Sequence, residues 1–161
     1  MAPPTEATDE EKAWARCLRL LAVRARSQAE LQERLRAARF EEAVVEAVLS
    51  RLAQAGMLDD EEFARAWIAS RRESGRSGKR KLRWELRRKG VSGDLIRRLV
   101  DEGIDQQSEV EQALTLARRR LCADTDDADL ARVQRLLVSR GFEFDVVQAV
   151  MRRIVSEREH S

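Results

Sequence analysis

Apolar residues fall at spacings of three and four along most of this chain, and the pattern repeats. AELQERLRAARFEEAVVEAVL (29–49) recurs in RKLRWELRRKGVSGDLIRRLV (80–100) and in LARVQRLLVSRGFEFDVVQAV (130–150), with matched positions 51 residues apart. Leu31 corresponds to Leu82 and Val133, Leu35 to Leu86 and Leu137, and Phe40 to Val91 and Phe142. Val45 pairs with Ile96 and Val147, and Val48 with Leu99 and Val150. So many apolar matches without a gap mark a threefold repeat. Inside each copy the spacing is helical: Leu82 and Leu86, a break at Gly90-Val91, then Leu95, Ile96, Leu99 and Val100.

Gly90 and Gly141 stand where a left-handed helix cap is wanted, and Arg39 stands there in the first copy, at a cost of about 1 kcal/mol if the turn is kept. A further helix precedes each pair, near 9–24, 60–73 and 108–122. Capping-box signals open helices at Ser27-x-x-Glu30, Asp59-x-x-Glu62 and Ser108-x-x-Glu111. The pattern predicts an all-α protein of about nine helices in three tandem three-helix repeat modules. Their expected bounds are 12–57, 58–105 and 106–158, after a disordered N-terminal tail over 1–11. A unit of about 50 residues buries little surface alone, so the expected arrangement is an elongated, curved array. ESGRSG (73–78) and ADTDDAD (123–129) read as exposed loops, the first as a hinge.

Composition agrees. Ala, Leu, Glu and Arg dominate, and both prolines lie at positions 3 and 4. No stretch approaches the roughly 20 apolar residues of a membrane span, and MAPPTEATDEEK resembles neither a signal nor a transit peptide. Cys17 and Cys122 lie inside helical patterns, which predicts ordinary buried thiols in a reducing, cytoplasmic setting.

Charge changes the picture more. The net charge is only +2, yet residues 71–98 hold twelve basic side chains against three acidic ones. On a wheel of about 100° per residue, Leu82, Leu86 and Lys89 define the buried side of the helix over 79–89. Arg80, Lys81, Arg83, Arg87 and Arg88 spread over the other side, with Trp84 among them. The repeat positions equivalent to Trp84 are Glu33 and Arg135, both polar, so Trp84 is expected to be exposed. An exposed Trp among arginines stacks on a base, anchors a protein interface, or merely covers a neighbouring module. A surface this short of carboxylates favours an anionic partner over a solvated face. The candidate partner- or DNA-binding residues are Arg71, Arg72, Arg76, Lys79, Arg80, Lys81, Arg83, Trp84, Arg87 and Arg88.

No catalytic or metal-binding group is expected. The run Asp59-Asp60-Glu61-Glu62 suits a helix start, where carboxylates cap the chain and complement its dipole. His160 is the single histidine and lies near the end of the chain, where disorder is expected. Zinc-ligand spacing, a P-loop and a nucleophile–histidine pair are missing. The sequence therefore predicts no enzyme and no cofactor.

RARSQAELQERLRAARF (24–40), LSRLAQAGMLDDEEFARAWIASR (49–71), GKRKLRWELRRKGV (78–91) and SRGFEFDVVQAVM (139–151) together resemble the RecX family, bacterial regulators of the RecA recombinase. The resemblance covers about 12–155, and Leu-Asp-Asp-x-x-Phe-Ala at 58–64 is its most specific part in combination with the basic segment. Arg39 replaces a usual Gly, and Met57 replaces a common aromatic. The resemblance implies tandem three-helix modules and no catalysis. It implies binding in the groove of the RecA–single-stranded-DNA filament and inhibition of filament growth, ATPase and recombinase activity, with consequences for DNA repair and the SOS response. Weak or non-specific binding to single- or double-stranded DNA, no membrane association and a monomer complete the expectation. The alternative is a non-specific DNA-binding helical-repeat protein that competes for the strand. Sequence-specific readout is poorly supported, because the basic helix offers no Asn or Gln for adenine.

Overall fold

The computed structural model describes residues 6–160, and within them it is helical throughout, with no strand. The elements are α1 (Asp9–Val23), α2 (Gln28–Ala37), α3 (Glu42–Gln54), α4 (Asp60–Glu73), α5 (Lys79–Arg88), α6 (Gly93–Ile96), α7 (Gln106–Arg118), α8 (Asp127–Ser139) and α9 (Phe144–Glu159). Helix α6 runs on into a π-helical segment, Arg97–Asp101, which the apolar spacing did not foretell. Its end is marked by the Glu102 N–H donating to the Arg97 carbonyl at 3.0 Å, a wider turn than an α-helix makes.

The helix starts follow local chemistry. Ser27 and Glu30 form the reciprocal capping box expected at α2, and Thr8 and Glu11 form a further one at α1. Residues 1–5 of the expected N-terminal tail lie outside the described residues, and residues 9–11 of it already belong to α1. The Asp59 carboxylate accepts from the N–H groups of Glu61 (2.9 Å) and Glu62 (3.2 Å), so this acidic run acts as a cap. At α7 the expectation fails. Asp105, not Ser108, is the N-cap, accepting from the Ser108 N–H at 2.8 Å, and the helix starts at Gln106 and ends at Arg118. Asp105 accepts the same bond one turn earlier, which leaves the Ser108 hydroxyl for another element.

Two other expectations are corrected. Cys17 is buried, and burial pushes its thiol up, but Cys122 lies beyond the end of α7 and is exposed. Only part of the 73–78 loop is exposed: Ser77 and Gly78 are buried. His160 caps the end of α9, where its ring Nδ1 donates to the Ser156 carbonyl at 2.7 Å.

The chain divides into two units, one of Met1–Phe63 as far as it is described, with Lys89–Val91, and one of Ala64–Arg88 with Ser92–Ser161 as far as described. In the first unit, α1 and α2 pack on α3 around Ala13, Cys17, Leu31, Leu35, Val45, Val48 and Leu52, all fully buried. In the second, α7, α8 and α9 close around Leu114, Leu137, Phe142, Val146 and Val150. These are the periodic apolar positions of the sequence, and burying them supplies the main drive to fold.

Candidate partner-binding face

Helix α5 starts without an acidic first turn or a side-chain cap of its own, so its free backbone donors need partners from elsewhere. The second unit supplies them. The Gly78 N–H donates to the Arg140 carbonyl (2.9 Å) and the Arg80 N–H to the Gly141 carbonyl (3.0 Å). The Lys79 N–H donates to the Glu109 carboxylate at 3.2 Å. The approach is close enough to require glycine. A Cβ on Gly78 would lie 2.5 Å from the Phe142 nitrogen, and one on Gly141 would collide with Lys81. Leu82 and Leu86 point inward and are fully buried, which turns the opposite side of α5 outward.

Half of the ten candidate residues are built into the unit rather than presented by it. Arg72 is mostly buried, ion-paired with the fully buried Glu109, and donates to the Ser108 hydroxyl at 2.6 Å. Arg71 bonds Glu85 at 3.1 Å and lies over the Trp67 ring at 4.7 Å. Glu85 also accepts from the Trp67 indole at 2.8 Å, so the one acid of α5 is a buried hub. Lys79 reaches the Asp101 carbonyl at 3.3 Å. Arg83, placed by the helical wheel among the outward arginines, is half-buried and bridges Asp101 (2.6 Å) and Glu143. Burial would lower its affinity for the proton, but the bonds to Glu143 and Asp101 outweigh that and raise it. Lys81 is likewise a half-buried flank, with its Cβ against Gly141.

The remaining residues form a narrower surface. Arg80, Trp84, Arg87 and Arg88 are all exposed and share one stripe of α5, within about 100° of arc. Trp84 keeps 56% of its surface in solvent, and the Arg88 guanidinium lies 4.9 Å from its ring centre. Arg80 donates to the Val138 carbonyl at 2.5 Å, which leaves its charge uncompensated. Among the described residues no carboxylate stands within ion-pair distance of Arg80, Arg87 or Arg88. Arg76 is exposed on the loop before α5.

Sequence reasoning missed Glu109, Asp101 and Glu143, the acids that neutralise the flanks. Asp101 and Glu143 each end or begin an element next to a repeat turn, but nothing in their spacing ties them to α5. Among the described residues no group of His, Cys, Asp or Glu is arranged to hold a metal ion, and no helix is long and apolar enough to cross a membrane.

Comparison with known proteins agrees with the threefold pattern. Models of the first, second and third three-helix domains of RecX match residues 13–52, 59–99 and 107–151. The chain is similar to the regulatory protein RecX of Mycobacterium avium (strain 104), at 42% identity over 98% of this chain and 94% of the relative. The regulatory protein RecX of Mycobacterium leprae (strain Br4923) is 38% identical over the same shares. A crystal structure of RecX from Lactobacillus salivarius superposes with a TM-score of 0.80 at 18% identity, covering 95% of this chain and 98% of that one. A second, of regulatory protein RecX, gives 0.74 at 22% identity, covering 93% and 80%.

Proposed function

The chain belongs to the RecX family of regulatory proteins, and from that premise we propose that it binds the RecA–single-stranded-DNA filament and inhibits filament growth, ATPase and recombinase activity. The observation that carries the reading is the carboxylate-free stripe of Arg80, Trp84, Arg87 and Arg88 on a helix whose Arg83 and Glu85 are already ion-paired. A surface of that kind repels itself until an anion covers it. Both the phosphates and the acidic surface of a nucleoprotein filament supply one. In this reading the repeats run 12–57, 58–105 and 106–158, Arg76 and Lys81 flank the stripe, and Arg71, Arg72, Lys79 and Arg83 hold it in place. The protein acts in the cytoplasm as a monomer, by occupancy and without chemistry.

The test is RecA ATP hydrolysis on single-stranded DNA, titrated with this protein, beside a DNA-binding assay without RecA. Inhibition at concentrations well below those that bind bare DNA supports the filament as target. Inhibition only where the bare strand is already coated replaces this reading with competition for DNA.

A further inference from the structure

We infer that the outward stripe of α5 is a stacking platform for one unpaired base, with Trp84 as the platform and Arg80 and Arg87 gripping the flanking phosphates. This deepens the reading above, since it names which component of a nucleoprotein target the stripe takes.

Three observations point to a nucleic-acid strand rather than an acidic protein. First, a Trp that anchors a protein interface works inside an apolar surround that excludes water. On α5 the neighbours of Trp84 along the exposed stripe are Arg80, Arg87 and Arg88, while the apolar residues, Leu82 and Leu86, are fully buried on the other side. A base needs no such surround, because its π face stacks on the indole and tolerates cations at the edge. Second, Arg88 already lies 4.9 Å from the ring centre, so the indole is oriented while more than half of Trp84 stays in water. Third, the stripe has the dimensions of a short piece of strand. From Arg80 to Arg87 the helix rises about 10 Å, which at 3.4 Å per stacked nucleotide reaches about three phosphates.

The stack requires an unpaired base, so the platform discriminates single strands from duplex without reading sequence. A π face is common to all four bases, and Asn and Gln are absent from α5. Its counterparts in the other repeats, Glu33 and Arg135, offer no ring, so this helix position stacks only in the middle repeat.

The experiment uses the full chain without RecA, binding fluorescein-labelled oligo(dT) and, separately, a labelled duplex, by anisotropy. Trp84→Ala is expected to weaken oligo(dT) binding by about five- to a hundredfold. Trp84→Phe, which keeps a ring, should recover most of the loss, and duplex binding should change little in either. Arg87→Gln should weaken both substrates and flatten the salt dependence, by about 0.7 in slope on the single strand. Unchanged oligo(dT) binding in Trp84→Ala overturns the inference. So does an equal loss on both substrates, or no gain from Phe over Ala. If the unaltered protein inhibits RecA yet binds no oligo(dT), the stripe is a protein-docking surface; the platform is then refuted and the proposed function stands. Trp84-dependent strand binding with no effect on RecA gives the reverse result.

Discussion

The Ser27 hydroxyl donates to the backbone carbonyl of Lys89, within the first unit. Its counterpart one repeat on lies within the second unit, where the Gly78 N–H donates to the Arg140 carbonyl. Each time, the turn that follows one repeat's middle helix is bound at the start of the previous repeat's middle helix. The glycine after the bonded carbonyl is left-handed in both, Gly90 at φ 76° and Gly141 at φ 84°. A Cβ on Gly90 would strike Ala29, as one on Gly141 would strike Lys81. In the first repeat Arg39 adopts the same conformation, at φ 64°. Arg39 is exposed, so a side chain is tolerated there at the cost of backbone strain alone.

Replacing these residues therefore has opposite effects. Gly141→Ala and Gly90→Ala combine left-handed strain with a collision and should each destabilise by about 2 kcal/mol or more. Arg39→Gly relieves strain and should stabilise by about 0.5–1 kcal/mol. Urea unfolding midpoints give the order directly; a destabilising Arg39→Gly would refute the account of the first turn.

Acid should loosen the Ser27–Glu30 end of α2. Burial alone would raise the Glu30 carboxyl, but bonds from Arg24, Lys89 and the Ser27 N–H overcome it and lower it from 4.5 to about 2. A carboxyl held lower in the folded state stabilises that state above its unfolded value, and the contribution fades as pH falls from about 4.5 to about 2. Allowing for solvent screening, it is worth about 1–2 kcal/mol. Glu30→Gln keeps the capping-box geometry but not the charge. The variant should be less stable at neutral pH and converge on the parent near pH 2, read by thermal unfolding across the range.

Much of the fold was legible in the sequence because it rests on local rules. The spacing of Leu31 and Leu35 or Val133 and Leu137 marks a buried helix face, and Ser27 with Glu30 marks a start. What stayed hidden is long-range. The wheel gave the outward direction of α5 correctly for Trp84, Arg87 and Arg88, but a wheel knows nothing of neighbouring elements. Glu109 lies 37 residues from Arg72, and Glu143 lies 60 from Arg83. Only packing of the later helices brings them together. The π-helical stretch after Ile96 was hidden too, since RRLVD makes an unremarkable α-helical sequence.

The Arg72–Glu109 pair illustrates a charge that supports the face without belonging to it. Glu109 is fully buried and both pairs with Arg72 and accepts from the first N–H of α5. Arg72→Met would leave a buried carboxylate short of its countercharge, at a cost of about 3–5 kcal/mol. Denaturant titration followed by circular dichroism checks this. A variant as stable as the parent would show that the backbone donor and water suffice for Glu109.

The split within α5 gives the sharpest test of which arginines meet a partner. A reversal of Arg80, Arg83 and Arg87 together, all three on the outward side of the helical wheel, mixes two roles. Arg83→Glu sets a third acid beside Asp101 and Glu143 and should destabilise the second unit by about 1–3 kcal/mol. Arg87→Glu with Arg88→Glu touches no ion pair and should leave the unfolding midpoint within about 0.5 kcal/mol of the parent. That double variant should nevertheless abolish inhibition of RecA ATP hydrolysis, because it reverses the charge on both sides of Trp84. Full inhibition by a folded Arg87→Glu, Arg88→Glu protein would remove the stripe from the mechanism. A folded but inactive one, beside an unstable Arg83→Glu, would separate the arginines that bind from those that brace.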